Sequence, residues 1–236
     1  MLSPKAAQIR QMFSSIAPWY DFLNHLLSLN FDRSWRRQAV SVLSDKIENK
    51  KAQCLDLCCG TGDLTFEIVK QGAANVICTD FSHSMLKLNT QKTKKYHLKK
   101  RIQIIETDAL KLPFRTESFD ALGIAFGLRN LENYSKGLLE MFRVLKPKGR
   151  IVILEFSKPN NFIFNSIFQF YFLNILPAIG KKLSGHQNAY HYLPDSVTQF
   201  PDQINLCKLL SDSGFSQVSY KNLSGGIAAI HSAIKS

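Results

Sequence analysis

The sequence predicts an α/β fold in which a mostly parallel sheet carries helices on both faces. Five short apolar segments rich in β-branched residues lie at 52–58, 75–80, 102–108, 119–126 and 150–156. Helical patterns separate most of them, and this alternation is typical of parallel strands that are covered on both faces. After Ser157, a helical aromatic-rich stretch precedes two more strands, which a hairpin around Gly225 and Gly226 joins. We therefore expect seven strands with an antiparallel C-terminal hairpin.

Composition and charge limit the class of protein. The 236 residues are 45% hydrophobic, which is enough for one substantial core, so we predict a single domain over residues 1–236. The formal net charge is +12, and seven Lys or Arg residues with no acid lie between Lys87 and Arg101. We interpret that segment as the solvated face of an amphipathic helix. A positive field suits either nucleic acid or an anionic membrane surface, and charge alone does not choose between them.

The first residues and the cysteines both indicate a cytoplasmic protein. Lys5 and Arg10 are followed by no apolar block, so we expect no secretory signal. The odd number of cysteines, without CxxC or Cys/His zinc spacing, predicts small buried side chains in a reducing compartment and no metal site. These cysteines are Cys54, Cys58, Cys59, Cys78 and Cys207.

The junction between the first strand and its helix, LDLCCGTGDL, has the features of a ligand-binding loop. Gly60 and Gly62 allow a sharp turn and a close approach of the backbone to a ligand, and the next helix offers free N–H groups. A GxG pair alone is a weak signal. Thr65 stands where a dinucleotide fingerprint has its third glycine, so pyrophosphate binding is not indicated.

Two aspartates at later strand ends make the signal more specific. Asp80 ends the second strand, where its carboxylate can accept hydrogen bonds from both hydroxyls of a ribose. Asp108, followed by Ala109, ends the third strand, where an adenine amino group needs an acceptor. Either aspartate alone could be an ordinary helix N-cap. Together with the glycine loop, they predict a ligand that contains adenosine.

The motif order LDLCCGTGDL, TD, TDALKLPF, SFD and RVLKPKGR resembles that of class I S-adenosylmethionine-dependent methyltransferases. The segments APWYDFLN, FGLRN, LEFSKP and NLSGGIAAIH are similar to those of the ubiquinone and menaquinone biosynthesis C-methyltransferase family, over nearly the whole chain. The resemblance implies a Rossmann-like fold, S-adenosyl-L-methionine as cofactor and methylation of a ring carbon of a polyprenylated quinol. The quinol is demethylmenaquinol by preference, or methoxy-polyprenylbenzoquinol.

The resemblance also implies where the cofactor binds. An N-terminal helical cap over residues 1–46 is expected to close over the cofactor, and a helical insertion over 157–200 is expected to cover the substrate. The chain departs from the family pattern at five positions: Cys59, Asn30 and Lys148 stand where glycine is usual, Ala125 where serine is frequent and Asp32 where histidine is usual. The residues that are implied to contact the cofactor are Gly60, Thr61, Gly62, Asp80, Asp108, Ala109 and Ala125.

Arg129 and Asn130 are the predicted catalytic pair, because ligands in open α/β sheets bind beyond the carboxyl ends of the strands. A quinol carbon becomes nucleophilic when its phenol ionises, and a nearby guanidinium favours that ion. Arginine stays protonated, so we expect Arg129 to polarise the quinol or a water rather than act as a base. Asn130 would orient the same oxygen. Alternatively, Arg129 only pairs with an acid such as Glu132, and we expect Glu155 to hold a neighbouring arginine.

The acceptor of the ring proton is less defined. Tyr20 and Asp21 are the first candidates, because they lie in the family segment APWYDFLN. His231 and His191 have a suitable unperturbed pKa, although a lone histidine is more often structural.

The stretch 161–180 is aromatic-rich but is interrupted by polar residues and a proline, so a membrane span is not expected. An interfacial or substrate-covering helix fits better, and the alternative is a buried helix or a homodimer contact. Together with the basic surface, the aromatic stretch predicts peripheral association with the inner face of the membrane.

Two other function classes are compatible with parts of the sequence. The basic pI of about 9.5 would suit an RNA methyltransferase. However, no NPPY-type loop, catalytic PC dipeptide or RNA-binding module is visible, so no nucleic-acid partner is expected. A non-catalytic prenylquinone-binding protein is disfavoured because the glycine loop, both aspartates and Arg129 are retained.

Overall fold

A seven-stranded sheet is the centre of the computed structural model, which describes residues 4–159 and 187–236. Its strands are β1 (Gln53–Leu57), β2 (Asn75–Asp80), β3 (Ile102–Glu106), β4 (Phe119–Ala125), β5 (Leu145–Phe156), β6 (Phe215–Leu223) and β7 (Ala228–Lys235). Their order is β3-β2-β1-β4-β5-β7-β6. The first five strands are parallel, and β7 is antiparallel to both β5 and β6. The predicted fold is confirmed, including the hairpin.

Helices cover the sheet and precede most strands. Within residues 4–159 and 187–236, three helices come before β1, three lie between the parallel strands, and two come before β6. They are α1 (Pro4–Leu27), α2 (Phe31–Ser41), α3 (Ser44–Ile47), α4 (Asp63–Lys70), α5 (His83–Lys95), α6 (Tyr134–Val144), α7 (Gln187–Gln199) and α8 (Gln203–Asp212). A 3-10 turn, Leu128–Asn130, follows β4. The predicted stretch 161–180 and most of the predicted insertion lie outside the described residues.

Two apolar cores form because successive strand side chains point to opposite faces of the sheet. In β5, Val152 and Leu154 join one core, whereas Ile151 and Ile153 join the other. Both faces are therefore dry, which explains why the strands are continuous apolar runs rather than alternating ones.

Two strand boundaries differ from the prediction by more than one residue. The fifth strand starts at Leu145, before the predicted 150–156, and its pairing with β4 jumps from Leu145 to Arg150, so the intervening KPKG segment bulges out. The third strand ends at Glu106, because the Thr107 N–H donates to the Asp80 carbonyl and the chain turns there. Within the described ranges, no helix is both long and apolar enough to span a bilayer.

Candidate active site

A cavity of about 290 Å³ opens beyond the carboxyl ends of β1, β2 and β4. This is the point where the strand order reverses direction, because β2 lies on one side of β1 and β4 on the other. Phe13 and Tyr20 from α1 and Arg36 from α2 contribute to the lining. The two N-terminal helices therefore cover the cavity, as a cap would.

The glycine loop forms one wall and its shape depends on the missing side chains. Gly60 and Gly62 both have positive φ, of 53° and 97°. A Cβ on Gly62 would come within 2.8 Å of the Asn89 side chain. Gly60 lines the cavity, whereas Gly62 does not and instead lets α4 begin close to Asn89.

Asp80 anchors this loop and faces the cavity. Its Oδ2 accepts the Gly60 N–H at 2.9 Å, and its Oδ1 accepts the Ser82 N–H at 2.8 Å. Burial raises the pKa of the carboxyl to about 6, which leaves it mostly ionised at pH 7. The two carboxylate oxygens together offer about four acceptor positions, so the side chain can still accept a hydrogen bond from a ligand hydroxyl group.

The remaining predicted cofactor residues meet at the same cavity. Thr61, Asp108, Ala109 and Ala125 all line it. The Asp108 Oδ1 accepts the Leu110 N–H at 2.8 Å, which fixes the turn after β3, and the side chain is exposed.

Arg129 is buried and is not one of the residues that line the cavity, although the next residue, Asn130, is; its side chain bonds inward. Its Nη1 lies 3.0 Å from Glu155 Oε2 and 2.5 Å from the Phe126 carbonyl oxygen. Burial raises the pKa of Glu155, and the guanidinium opposes that shift. The acid that pairs with Arg129 is thus Glu155, as expected for that residue, rather than Glu132. The Arg129 Nε is buried and has no hydrogen-bond partner among the described residues.

Asn130 does line the cavity, and a residue that sequence reasoning missed holds it. The Tyr192 hydroxyl of α7 donates to Asn130 Oδ1 at 2.9 Å, and the Asn130 Nδ2 donates to the Phe126 carbonyl at 3.3 Å. The sequence signal for Tyr192 was its position in AYHYLPDS, but a tyrosine there carries no mark of its partner. His191 belongs to the same segment, and its side chain lies outside the described part of the chain.

Tyr20 and Asp21 differ in their surroundings. Tyr20 faces the cavity, and its burial raises the pKa of the phenol, so it stays protonated at pH 7. Asp21 does not line the cavity; it connects α1 to the glycine loop and to α5, because its Oδ1 accepts the Thr61 hydroxyl at 2.5 Å and its Oδ2 pairs with Lys92 Nζ at 2.5 Å. Lys92 also bonds Asp63 at 3.0 Å.

The structure does not bring His231 to the cavity. It lies in β7, buried, where its Nε2 is 3.2 Å from the Gln203 carbonyl oxygen of α8 and its ring stacks on Tyr220. Burial lowers the pKa of the imidazole to about 4. The physical reason for the placement is the antiparallel register, which puts His231 opposite Ile153 in mid-sheet.

Asp56 is a second residue that sequence reasoning passed over, although it stands inside LDLCCGTGDL. It is fully buried at the end of β1 and lines the cavity, and burial raises its pKa to about 7. Its Oδ2 accepts the Thr65 hydroxyl, while Oδ1 has no partner among the described residues. A buried acid in an apolar strand was the available signal.

The sequence matches the model of the ubiE/COQ5 methyltransferase family over residues 1–235. The chain belongs to this family. This methyltransferase is 42% identical over 236 residues to the ubiquinone/menaquinone biosynthesis C-methyltransferase UbiE of Geotalea daltonii, with 99% of each chain covered. It is 41% identical over 227 residues to the demethylmenaquinone methyltransferase of Deinococcus radiodurans, covering 96% of this chain and 92% of the relative. The predicted family is confirmed.

Solved structures agree with the methyltransferase fold. The [4+2]-cyclase SpnF matches with a TM-score of 0.72 at 16% identity and covers 100% of this chain and 98% of its own. An S-adenosylmethionine-dependent methyltransferase of Thermotoga maritima matches with a TM-score of 0.65 at 17% identity, covering 96% and 99% of the two chains. At these identities the likeness shows the fold alone. Family membership makes the protein an S-adenosylmethionine-dependent C-methyltransferase of ubiquinone and menaquinone biosynthesis.

The residues present fit that cofactor. The cavity has the size of a small-molecule site, and two ionisable carboxylates, Asp80 and Asp56, face it from adjacent strands. Asp80 supplies acceptors for hydroxyl groups, and Asp56 Oδ1 is a buried acceptor that still needs a donor. This donor and acceptor set suits a ligand with a ribose and a charged amino group.

Proposed function

We propose that the methyltransferase converts demethylmenaquinol to menaquinol by placing a methyl group on a ring carbon. The observation that carries this proposal is the shared cavity, in which the glycine loop anchored by Asp80 faces the turn that bears Asn130. The names of the relatives support the quinol. The equivalent C-methylation of methoxy-polyprenylbenzoquinol is the second candidate, because the name of the Geotalea daltonii relative includes both the ubiquinone and the menaquinone pathway.

For cofactor binding, we assign Gly60, Thr61 and Asp80 to the ribose side of the cavity. Asp108 and Ala109 take the adenine side, Ala125 lies beside the reacting centre, and Gly62 shapes the loop without lining it. When bound, S-adenosylmethionine supplies an electrophilic methyl group on a sulfonium. Calorimetric titration of the cofactor into the Asp80→Asn variant tests the assignment of Asp80. The substitution should weaken cofactor binding about tenfold or more. Unchanged affinity would remove Asp80 from the site.

For catalysis, we assign the electrostatic role to Arg129 and the orienting role to Asn130. The Glu155 carboxylate fixes the guanidinium and partly neutralises it, so Arg129 acts as an oriented dipole and cation beside the cavity. The Tyr20 phenol, which stays protonated, is placed to donate a hydrogen bond to the quinol oxygen rather than to accept a ring proton. Asp21 positions α1 through Lys92 and Thr61.

We further propose that the protein works at the inner face of the membrane as a peripheral protein. A polyprenyl tail keeps the quinol in the bilayer, and the net charge of +12 favours an anionic surface. The cytoplasm is the compartment that fits both.

The test of the reaction uses methyl-labelled cofactor with reduced demethylmenaquinone and, separately, reduced methoxy-polyprenylbenzoquinone, both dispersed in detergent. Mass spectrometry then locates the label. Label on the naphthoquinol ring is expected. Label only on the benzoquinol would select the second candidate. Quinol binding without any methyl transfer would indicate a non-catalytic binding protein, and transfer only to added RNA would overturn the quinol assignment.

A further inference from the structure

The cap formed by α1 and α2 has an apolar outer surface. Among the described residues, nine large hydrophobic side chains are exposed, and five of them fall between residues 19 and 31, with 42% to 72% of each side chain exposed. We call these five the apolar ridge: Trp19, Phe22, Leu26, Leu29 and Phe31. Contiguous exposed apolar side chains of this kind mark a contact surface rather than ordinary scatter.

The helix geometry places the ridge on one face. Trp19, Phe22 and Leu26 follow at intervals of three and four residues along α1, which puts them in one row. Leu29 and Asn30 both have positive φ, of 50° and 62°, so the chain turns there, and Leu29 is the most exposed residue of the ridge. Two residues after Leu29, Phe31 begins α2 and stacks on Trp35, with ring centroids 6.4 Å apart.

The opposite face of the same two helices lines the cavity. Tyr20, the neighbour of Trp19, and Arg36 in α2 both face the site. Phe126 of the cavity wall lies 6.3 Å from the Trp35 ring. Whatever binds the ridge is therefore separated from the site by the thickness of one helical layer.

The charges beside the ridge select the occupant. Between residues 19 and 41 the acids are Asp21, which pairs with Lys92, and Asp32, which is buried and pairs with Arg36. Arg33 and Arg37 are exposed on α2. An apolar helix face with basic residues at its border has the charge and hydropathy pattern of an interfacial membrane helix.

We propose that the apolar ridge enters the headgroup region of an anionic phospholipid bilayer and holds the cavity over the membrane. This surface extends the proposed function and rests on it. A bilayer is the expected partner because a prenyl-tailed quinol resides there. α1 and the turn to α2 form the surface that approaches the lipid, while Arg33 and Arg37 contact lipid phosphates.

The chain offers a built-in probe for this contact. It has two tryptophans, of which Trp19 is half exposed and Trp35 is buried. On phosphatidylglycerol vesicles, the full chain should show a blue shift of tryptophan emission and quenching by brominated acyl chains. Trp19→Phe should lose both signals but still sediment with the vesicles. Emission that does not respond while the protein sediments would overturn the proposal.

Substitutions test the ridge itself. Phe22→Asp with Leu29→Asp should weaken sedimentation with phosphatidylglycerol vesicles at least about tenfold. The matched control is Ile204→Asp on α8, an apolar side chain that is equally exposed but lies outside the ridge, and it should bind as the unchanged protein does. Arg33→Gln with Arg37→Gln should weaken binding to phosphatidylglycerol and leave the weaker binding to phosphatidylcholine unchanged.

Other occupants give different results. If the ridge variant binds vesicles normally but changes from dimer to monomer in sedimentation velocity, the ridge is an interface between two copies and the proposal fails. Methyl transfer to detergent-dispersed quinol separates the two ideas. Transfer without any Trp19 response to vesicles would overturn the ridge alone, whereas a Trp19 response without transfer would overturn the proposed reaction alone.

Discussion

At the residue scale, the buried Arg129–Glu155 pair combines support and chemistry. Glu155 accepts the Arg129 N–H and the Phe156 N–H as well as the guanidinium, so it fixes the backbone of the turn after β4. A buried carboxylate needs such compensation because desolvation is costly. The pair therefore couples the geometry of the turn to the charge of the arginine.

We expect Arg129→Met to lower the free energy of unfolding by about 3 kcal/mol, because it leaves Glu155 buried without its cation. Chemical denaturation at pH 7 measures this loss. In the double variant Arg129→Met with Glu155→Gln, the buried charge is removed and the amide oxygen still accepts one of the two backbone N–H groups, so part of the stability should return while methyl transfer does not. Restored activity in the double variant would mean that Arg129 is only structural.

We expect Tyr192→Phe to lower kcat about fivefold with little change in KM, because Asn130 loses the donor that holds its Oδ1. Steady-state kinetics with dispersed quinol measure both constants. Tyr134→Phe is the matched control, since the Tyr134 hydroxyl reaches the Arg129 carbonyl only at 3.4 Å. Equal losses in the two variants would contradict a specific role for Tyr192.

Residue types at strand ends could be predicted from the sequence, but their partners could not. Asp80 and Arg129 stand in recognisable segments, and Glu155 was expected to hold an arginine. Tyr192 lies far from Asn130 in the chain, and only the packing of α7 against the turn after β4 brings the two together. Asp56 could have been predicted as a buried acid in an apolar strand, but the sequence does not show that its carboxyl group faces the cavity.

At the element scale, one polar cluster ties α1 to the body of the protein. Lys92 of α5 bonds Asp21 of α1 and Asp63 at the start of α4. Burial raises the pKa of Asp63, but Arg36 and Lys92 outweigh it and hold the pKa below its usual value. The helix that covers the cavity is therefore held partly by charge.

We expect Lys92→Met to speed amide hydrogen exchange in α1 about fivefold, which corresponds to a loss of about 1 kcal/mol of local stability. Mass spectrometry of peptides from residues 4–27 and 63–70 measures it. Lys87→Met is the control, because Lys87 is exposed on the same helix. A similar effect of both substitutions would show that α1 is held by packing alone.

His231 makes β7 sensitive to acid. Its pKa is about 4 in the folded protein and about 6.5 when unfolded, so the unfolded chain takes up a proton first as the pH falls. Its contribution is complete above pH 6.5 and is lost between about 6.5 and 4, by about 3 kcal/mol. Denaturation of His231→Gln should show a shallower decline than the unchanged protein over that range. Parallel declines would refute the assignment.

At the scale of the whole molecule, the positive charge opposes compactness. With a net charge of +12, exposed lysines such as those after α5 repel one another over the Debye length. That length falls from about 30 Å at 0.01 M salt to about 8 Å at 0.15 M.

We therefore expect the unfolding temperature to rise by about 2–4 °C over that range of NaCl, because screening of net repulsion adds about 1 kcal/mol. Differential scanning calorimetry measures the change, and KCl at the same ionic strength should give the same result. A fall in the unfolding temperature would show that ion pairs such as Asp21–Lys92 outweigh the repulsion.

The sheet as a whole could be predicted because its strands are apolar runs separated by helices, and because the hairpin glycines are explicit. The bulge in β5 could not, since KPKG looks like a turn that precedes a strand, whereas Leu145 already pairs with Phe119. The burial of His231 could not be predicted either, because it depends on the packing of α8 against β7.

The position of β7 between β5 and β6 has a consequence for synthesis. β5 leaves the ribosome long before β7, so its outer edge must wait with unpaired N–H and C=O groups until residues 228–235 emerge. The five parallel strands can assemble earlier, but the nascent chain then exposes the unpaired edge of β5, which can pair with other chains. Chains that stall or are cleaved before β7 should therefore aggregate. The solubility of the protein depends on the completion of β7.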